Sequence, residues 1–154
     1  MLHLAPLVLA VMLRWQEAVA AAEALRLLET ARPILAQGLT RDQFVITMPE
    51  FTAITRLNRT PGILGIIYMN GAGEPRWYKD PEANMRCVLR DEAREIPFLT
   101  AAPKRAFMSR AVVYARAPNG VLEIAVPFLD RGRLIGMIVL ESPLRRDKTR
   151  LETK

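Results

Sequence analysis

Few residues of this chain are of the types that carry out covalent chemistry. His3 is the only histidine and Cys87 the only cysteine among 154 residues. A lone histidine beside the N-terminus argues against a Ser-His or Cys-His catalytic centre. A single cysteine excludes an internal disulfide and a multi-cysteine zinc site. The acidic residues at 91, 92 and 95 lie close together, but such a group is usually the solvated face of one helix turn. The sequence therefore predicts no catalytic residue, no metal ligand and no enzyme.

The chain also lacks the patterns that bind phosphates or nucleic acids. Asn70-Gly71-Ala72-Gly73 is not followed by Lys-Ser/Thr, and it leads into a strand rather than a helix. The net charge is +6, and its densest part is the basic tail at 145–154. That tail could meet nucleic acid, lie at the cytoplasmic edge of a membrane, or be a solvated or frayed end. Elsewhere the basic residues stand singly, without interleaved aromatics. We expect no cofactor and no nucleic-acid partner.

Length and composition are those of one globular domain. A chain of 154 residues buries about two thirds of its unfolded surface, enough for a sizeable core. Hydrophobic residues make up 51% and charged residues 25%. These ordinary values exclude a disordered, collagen-like or wholly membrane-embedded chain.

The N-terminus carries an apolar run over residues 4–13, interrupted by Pro6 and followed by Arg14 and Trp15. The run is shorter than the roughly 20 apolar residues that span a bilayer. It has three interpretations: part of a membrane anchor with Trp15 at the interface, the core of a signal peptide cleaved after Ala18-Val19-Ala20, or a buried helix end. A signal peptide would have a basic start and no charge before its cleavage site. We therefore favour the partial anchor.

Two helices are predicted ahead of the strands. The first covers residues 15–37 and is kinked by Pro33 and ended by Gly38. The apolar stripe of this helix comprises Val19, Ala22, Leu25, Leu28, Ala31 and Leu35. The second covers residues 48–58, with Thr47 as N-cap. Its expected buried face is Phe51, Ile54 and Leu57.

The remaining sequence is dominated by strand signals. We predict five strands, at 63–69, 74–79, 111–116, 121–129 and 134–141. Turns are predicted at 70–73, 118–120 and 130–133, and one short helix near 89–96. Short turns make neighbouring strands antiparallel. Because two strands are apolar on both faces, the sheet must be covered on both sides, by the first helix and by the crossing segment 80–108. Glu123 is expected on an exposed face or paired with a strand arginine. The prediction is an α+β domain with a five-stranded antiparallel sheet.

This layout resembles a PAS-like extracytoplasmic sensor domain of the Cache group. The similar segments are 60–78 (TPGILGIIYMNGAGEPRWY), 121–141 (VLEIAVPFLDRGRLIGMIVLE) and the long leading helix. The positions that match the family's turns and strand steps are Asn70, Gly73, Val126-Pro127, Gly132 and Gly136. The resemblance covers most of residues 14–144 and its motifs are structural. It implies a bacterial sensor module of a chemoreceptor, histidine kinase or cyclic-dinucleotide enzyme.

The resemblance also implies a domain layout and a compartment. Residues 1–13 would be the apolar segment, 14–144 a single sensor domain and 145–154 a basic exit tail. The protein would be anchored in the inner membrane, with the sensor domain in the periplasm. The segment 126–142 also resembles the last two strands of a GAF domain, so a cytosolic GAF-like or PAS-like dimerisation and ligand-binding module is the alternative.

Candidate ligand-binding residues follow from the pocket of PAS-like folds, which lies between the sheet and the crossing segment. They are Tyr68, Trp77, Tyr78, Arg86, Arg110 and Tyr114. Trp77 and Tyr78 alternate on the second strand, so at most one faces the pocket. Arg110 and Tyr114, four residues apart, are expected on one face of the third strand. Arg86 lies in the crossing segment, and an arginine in such a place can pair bidentately with a ligand carboxylate.

The mechanism implied is a population shift. A small molecule would bind between sheet and crossing segment, and the terminal helices would move relative to each other within a homodimer. The stripe from Val19 to Leu35 could form the dimer face.

Overall fold

The computed structural model of the chain describes residues 4–41, 46–78 and 98–144. Three helices come first: α1 (Leu4–Glu29), α2 (Arg32–Arg41) and α3 (Met48–Arg59). A hairpin, a fourth helix and a three-strand meander follow: β1 (Gly65–Asn70), β2 (Pro75–Tyr78), α4 (Ala102–Ser109), β3 (Val113–Arg116), β4 (Val121–Asp130) and β5 (Arg133–Pro143). The strands form one antiparallel sheet in the order β2-β1-β5-β4-β3. The predicted α+β fold with a five-stranded antiparallel sheet is confirmed. The helix expected near 89–96 and the basic tail lie outside the described residues.

The leading helix is broken rather than kinked. α1 ends at Glu29, and α2 begins at Arg32 with Pro33 in its first turn. Proline is tolerated there because the first N–H groups of a helix have no intrahelical partner. The prediction that Gly38 ends the helix is wrong. Gly38 lies buried in the middle of α2. Its packing against α3 explains the difference, because a side chain at this position would overlap the Glu50 carboxylate.

α3 begins with a capping box. The Thr47 hydroxyl accepts from the backbone N–H of Glu50, and the Glu50 carboxylate accepts from the backbone N–H of Thr47. The predicted N-cap is correct. The predicted burial of Phe51 is wrong, because the buried face of α3 is centred one position away, on Glu50, Ala53, Ile54 and Leu57. Phe51 is therefore 40% exposed.

The hairpin turns lie where the sequence predicted them. Asp130 pairs with Arg133 across a two-residue loop, in which Arg131 and Gly132 have φ of 51° and 78°. Two left-handed residues are what a tight hairpin requires. In the β1–β2 turn the left-handed residue is Gly73, not Asn70 or Gly71. The Asn70 side chain instead accepts from the N–H groups of Ala72 and Glu74.

The sheet buries an apolar cluster on each face. On the helix side, alternate strand residues pack against α1, α2 and α3 and form the larger core. On the opposite face, which we call the far face, a smaller cluster comprises Ile67, Met69, Ala106, Ala125, Met137 and Val139. Ala106 belongs to α4, so part of the crossing segment covers the far face as predicted.

α1 extends beyond the sheet at one end, which we call the proximal end. The Glu17 carboxylate pairs with Arg116 Nε of β3 at 3.2 Å, and from Ala21 onward α1 is buried against the sheet. Before Glu17 the apolar side chains of α1 are exposed: Leu7, Val8, Leu9, Val11, Met12 and Trp15. The predicted stripe does not form a free face, because Leu28, Ala31 and Leu35 lie inside the domain core.

Candidate functional site

The far face is where the sequence placed the ligand site, between the sheet and the crossing segment. Its floor is apolar, formed by alternate residues of β1, β5 and β4. α4 lies over part of it through Ala106, with Phe107 and Val113 packed alongside. This arrangement has the apolar wall that a small-molecule pocket requires. Polar groups for such a pocket must come from its margins.

Glu123 ties the crossing segment to this face. The side chain is fully buried and accepts hydrogen bonds from the backbone N–H groups of Leu99 and Thr100, both at 2.9 Å. The Thr100 hydroxyl donates to the same carboxylate at 2.6 Å. Our prediction of an exposed or arginine-paired Glu123 is therefore wrong. Backbone donors replace the arginine, because the segment entering α4 crosses directly over β4.

Tyr68 and Trp77 face the helices rather than the far face. They are paired across β1 and β2, and both are fully buried in the helix-side core. Tyr114 of β3 pairs with Ile124, which also belongs to the helix-side core, and it is 40% exposed at the sheet edge. The structure thus brings Tyr68 and Trp77 together, but away from the face where a pocket was expected. Their contact with a ligand stays a prediction.

Arg110 does not lie on a strand. It is the C-cap of α4, in the left-handed conformation with φ of 58°, and the third strand begins only at Val113. The prediction that Arg110 and Tyr114 share a strand face is wrong, because Arg110 ends α4 and is separated from β3 by two residues that belong to neither element. Arg110 Nη1 donates to the carbonyl of Gly132 at 3.4 Å.

The two remaining candidates are Tyr78 and Arg86. Tyr78 is the last residue of β2, where its backbone pairs with Ile67. Arg86 lies outside the described residues, as do His3 and Cys87. Within the described ranges, no group of three His, Cys, Asp or Glu side chains is arranged to hold a metal ion.

A buried polar cluster on the helix side was not predicted. The Tyr68 hydroxyl lies 2.8 Å from Glu50 Oε2 and 2.9 Å from the carbonyl oxygen of Leu35. Arg76 of β2 approaches the same carboxylate, with 3.8 Å between Nη2 and Oε2. Its Nη1 donates to the carbonyl of Gly38 at 3.4 Å. The cluster therefore joins α2, α3, β1 and β2.

Burial sets the protonation of Tyr68. Desolvation, followed by the Glu50 carboxylate and its hydrogen bond, raises the pKa of Tyr68 far above its ordinary value, and the positive charge of Arg76 opposes this only in part. The hydroxyl is therefore a neutral donor at any physiological pH. Its single proton serves two acceptors, Glu50 and the Leu35 carbonyl.

The buried cluster holds helices and strands together and is not arranged as a reaction centre. Glu50 is 1% exposed and Arg76 8% exposed, so neither is presented to a substrate. The sequence signal that could have revealed Glu50 is the spacing Thr47-Met48-Pro49-Glu50, which predicts a capping box. No local signal reveals its second role, because Tyr68 and Arg76 reach it from distant strands.

α1 is long and apolar for a helix of this chain. Ala5–Glu29 has 25 residues and a mean hydropathy of 1.3, and it is the one helix in the described part of the chain that is long and apolar enough to cross a membrane. Its C-terminal half is also part of the domain core through Ala21, Ala24 and Leu28. Only the N-terminal half is thus available to a membrane.

The chain shows low similarity to several solved structures. No protein-family model matches the sequence, and neither does any curated protein. Among solved structures, the DhaR(N)–DhaL complex of Escherichia coli matches with TM-score 0.41 and 17% identity, over 84% of this chain and 44% of that one. The ligand-binding domain of the Pseudomonas aeruginosa amino-acid chemoreceptor PctC, in complex with GABA, matches with TM-score 0.37 and 18% identity, over 81% and 56%.

A third similar structure is the ligand-binding domain of the Campylobacter jejuni chemoreceptor Tlp3 in complex with 4-methylisoleucine. It matches with TM-score 0.41 and 12% identity, over 83% of this chain and 60% of that one. This chain spans about half the length of each of these matched structures.

Proposed function

We propose that this chain is a ligand-sensing, extracytoplasmic domain of a bacterial signal-transduction protein, held at the membrane by the first half of α1. It is a non-catalytic module that binds a small molecule between the far face and the crossing segment. The change on binding passes to α1. The alternative is a cytosolic GAF-like or PAS-like module that dimerises or binds a ligand.

The observation that carries the proposal is the change in character along α1. Residues 5–12 are apolar on all sides of the helix and are exposed, a pattern typical of a helix surrounded by lipid. From residue 17 onward the same helix is amphipathic, with Ala21 and Leu28 against the sheet and the Glu23–Arg26 pair facing solvent. Arg14 and Trp15 lie at the transition, as expected at a membrane interface.

The dimensions support a partial anchor. At 1.5 Å per residue, the ten residues 4–13 extend about 15 Å, half of the roughly 30 Å hydrocarbon core. From Ala21 onward the helix cannot lengthen this segment, since Ala21, Ala24 and Leu28 lie in the domain core.

Both connections of the domain lie at the proximal end. Trp15 and Val19 of α1 line the same groove as Ser142 and Pro143 at the end of β5. A displacement of the sheet relative to α1 would therefore move the segments through which the chain enters and leaves the domain. This geometry suits a module that relays a helix shift.

The test is the topology of the full chain in cells. A reporter enzyme that is active only in the periplasm is fused after Leu144, and a reporter active only in the cytoplasm is fused at the same position in a parallel strain. The native gene, with whatever precedes this segment, is used. We expect activity of the first reporter and silence of the second.

A pair of variants shows whether α1 is responsible. Val8→Arg places a charge in the apolar segment, where each arginine costs roughly 2.5–3.5 kcal/mol at a membrane centre. Met108→Arg places the same charge on α4, where the side chain is 77% exposed. Only Val8→Arg should reduce export. Activity confined to the cytoplasmic reporter would reject the proposal in favour of the cytosolic module.

A further inference from the structure

A second cavity lies at the proximal end, away from the far face. It is bounded by α1 residues 15–27, by the turn at 61–63 and by Ser142–Pro143 of β5, and we call it the α1–β5 groove. Its volume is about 400 Å³, within the range of small-molecule sites. It is separate from the sensing site proposed above and does not depend on it.

The walls of the groove are largely apolar. Trp15, Val19 and Leu27 contribute from α1, and Ile63 and Pro143 from the opposite side. Trp15 is 71% exposed and Val19 51% exposed, so these large side chains have little packing of their own. The groove is also continuous with the exposed apolar segment of α1. A ligand of this site needs an apolar body.

The groove has two uncharged polar side chains, Gln16 and Ser142, and one of them has a buried atom without a hydrogen bond in the described part of the chain. The Gln16 Oε1 atom is shielded from solvent and has no donor. Ser142 is 7% exposed, and its hydroxyl is not among the shielded atoms that lack a partner. A shielded, unpaired oxygen such as that of Gln16 is uncommon in folded proteins because its lost hydration is not replaced. The last torsion of a glutamine is broad, so the carboxamide can turn its oxygen into the groove.

The charged residues of this part of α1 are already neutralised. Glu23 pairs with Arg26 at 2.6 Å, and Glu17 pairs with Arg116 at 3.2 Å. Among the described residues, the charged side chains of this stretch of α1 leave no unbalanced charge to select an ion. The groove therefore favours a neutral head group over a carboxylate or an ammonium.

We propose that the α1–β5 groove binds a neutral amphiphile with an alkyl body and an alcohol or primary amide head. The head donates a hydrogen bond to the Gln16 oxygen, and the Ser142 hydroxyl supplies the second polar contact. The alkyl body lies against Trp15 and Val19. A ligand in this position bridges α1 to the end of β5.

The test is a titration of the full chain in phosphatidylcholine nanodiscs with 1-octanol. The signal is tryptophan fluorescence. Trp15 lines the groove and Trp77 is fully buried, so a ligand in the groove should change the emission of Trp15 and leave that of Trp77 unchanged. We expect a saturable change that is lost in Trp15→Phe. n-Octane, octanoate and octylamine should each bind at least about tenfold more weakly than 1-octanol.

Matched variants test the polar contacts. Gln16→Leu and Ser142→Ala should each weaken 1-octanol binding about three- to tenfold, the usual effect of one lost hydrogen bond. Gln37→Leu makes the same change at an exposed position of α2 and should leave binding unchanged. Circular dichroism establishes that each variant is folded.

Three results would overturn the proposal. A change that never saturates and grows with the amount of lipid would mean partition into the bilayer. Equal binding of n-octane would remove the role of the polar head. If folded Gln16→Leu binds 1-octanol with unaltered affinity, Gln16 does not contact the head group. This holds whatever the affinity of Ser142→Ala.

Discussion

Gly38 and Glu50 contact each other inside the helix-side core, and the contact leaves no room for a side chain on Gly38. A Cβ at this position would coincide with the Glu50 carboxylate. The glycine is therefore in the middle of α2 because the acidic side chain of α3 occupies the space beside it. The same carboxylate caps α3 and receives Tyr68 and Arg76.

Gly38→Ala should destabilise the protein, although alanine favours a helix by about 1 kcal/mol over glycine. The new methyl displaces Glu50 and breaks its buried contacts, an overpacking that usually costs about 1–3 kcal/mol. Chemical denaturation with urea measures the change in unfolding free energy. Gln37→Ala, at the exposed neighbouring position, should stay within about 0.5 kcal/mol of wild type. A stabilised Gly38→Ala would show that the carboxylate moves away without loss.

Tyr68→Phe should cost about 1–3 kcal/mol of stability. It keeps the ring in the core but removes the hydroxyl that reaches Glu50 and the Leu35 carbonyl, leaving two buried acceptors with one donor fewer. Tyr114→Phe is the matched control, because its side chain is 40% exposed and makes no side-chain hydrogen bond within the described residues. Equal stabilities for the two variants in urea would contradict the assigned role of Tyr68.

Stability should fall above about pH 10, and Tyr68 should contribute to the fall. The pKa of Tyr68 is raised in the folded state, whereas in the unfolded chain it has the ordinary value of about 10. Above that pH the unfolded chain releases a proton that the folded chain keeps. This lowers the unfolding free energy by up to about 1.4 kcal/mol per pH unit. Denaturation of wild type and Tyr68→Phe between pH 8 and 11.5 should show a shallower decline in the variant. Parallel curves would disprove the assignment.

Glu123→Gln should loosen the segment that enters α4. The carboxylate receives two N–H groups and one hydroxyl, whereas an amide has one oxygen to accept and an NH₂ group that faces donors. We expect a loss of about 2–3 kcal/mol and faster hydrogen exchange at Leu99 and Thr100. Glu29→Gln, whose side chain is 63% exposed, is the control. Unchanged exchange at both amides would remove Glu123 as the anchor.

The predicted carboxylate contact of Arg86, and with it the predicted ligand contact of Arg110, can be tested by thermal shift with a panel of amino acids and short organic acids. If a carboxylate raises the melting temperature, Arg110→Gln should weaken its binding about tenfold or more, because a charge-assisted hydrogen bond is lost. Arg86→Gln is expected to act alike. Arg131→Gln, in the neighbouring β4–β5 turn, is the control. A binding carboxylate that tolerates both Arg110→Gln and Arg86→Gln would rule out these residues.

Local features of this chain were predictable from its sequence alone. The strands, the hairpin turns and the capping of α3 at Thr47 follow from the backbone preferences of a few adjacent residues, and short turns make neighbouring strands antiparallel. The need to cover both faces of the sheet follows in the same way from strands that are apolar throughout. These properties add up to the α+β fold.

Tertiary packing alone decided the rest, because it depends on residues far apart in the chain. The Tyr68 hydroxyl meets Glu50 across 18 positions, and Arg76 meets Gly38 across 38. Glu123 meets the Thr100 amide across 23 positions. A glycine or a glutamate has no periodic signature of such a contact, so Gly38 was predicted to end a helix and Glu123 to be exposed. Only the folded chain shows that burial requires each of these polar groups to have a partner.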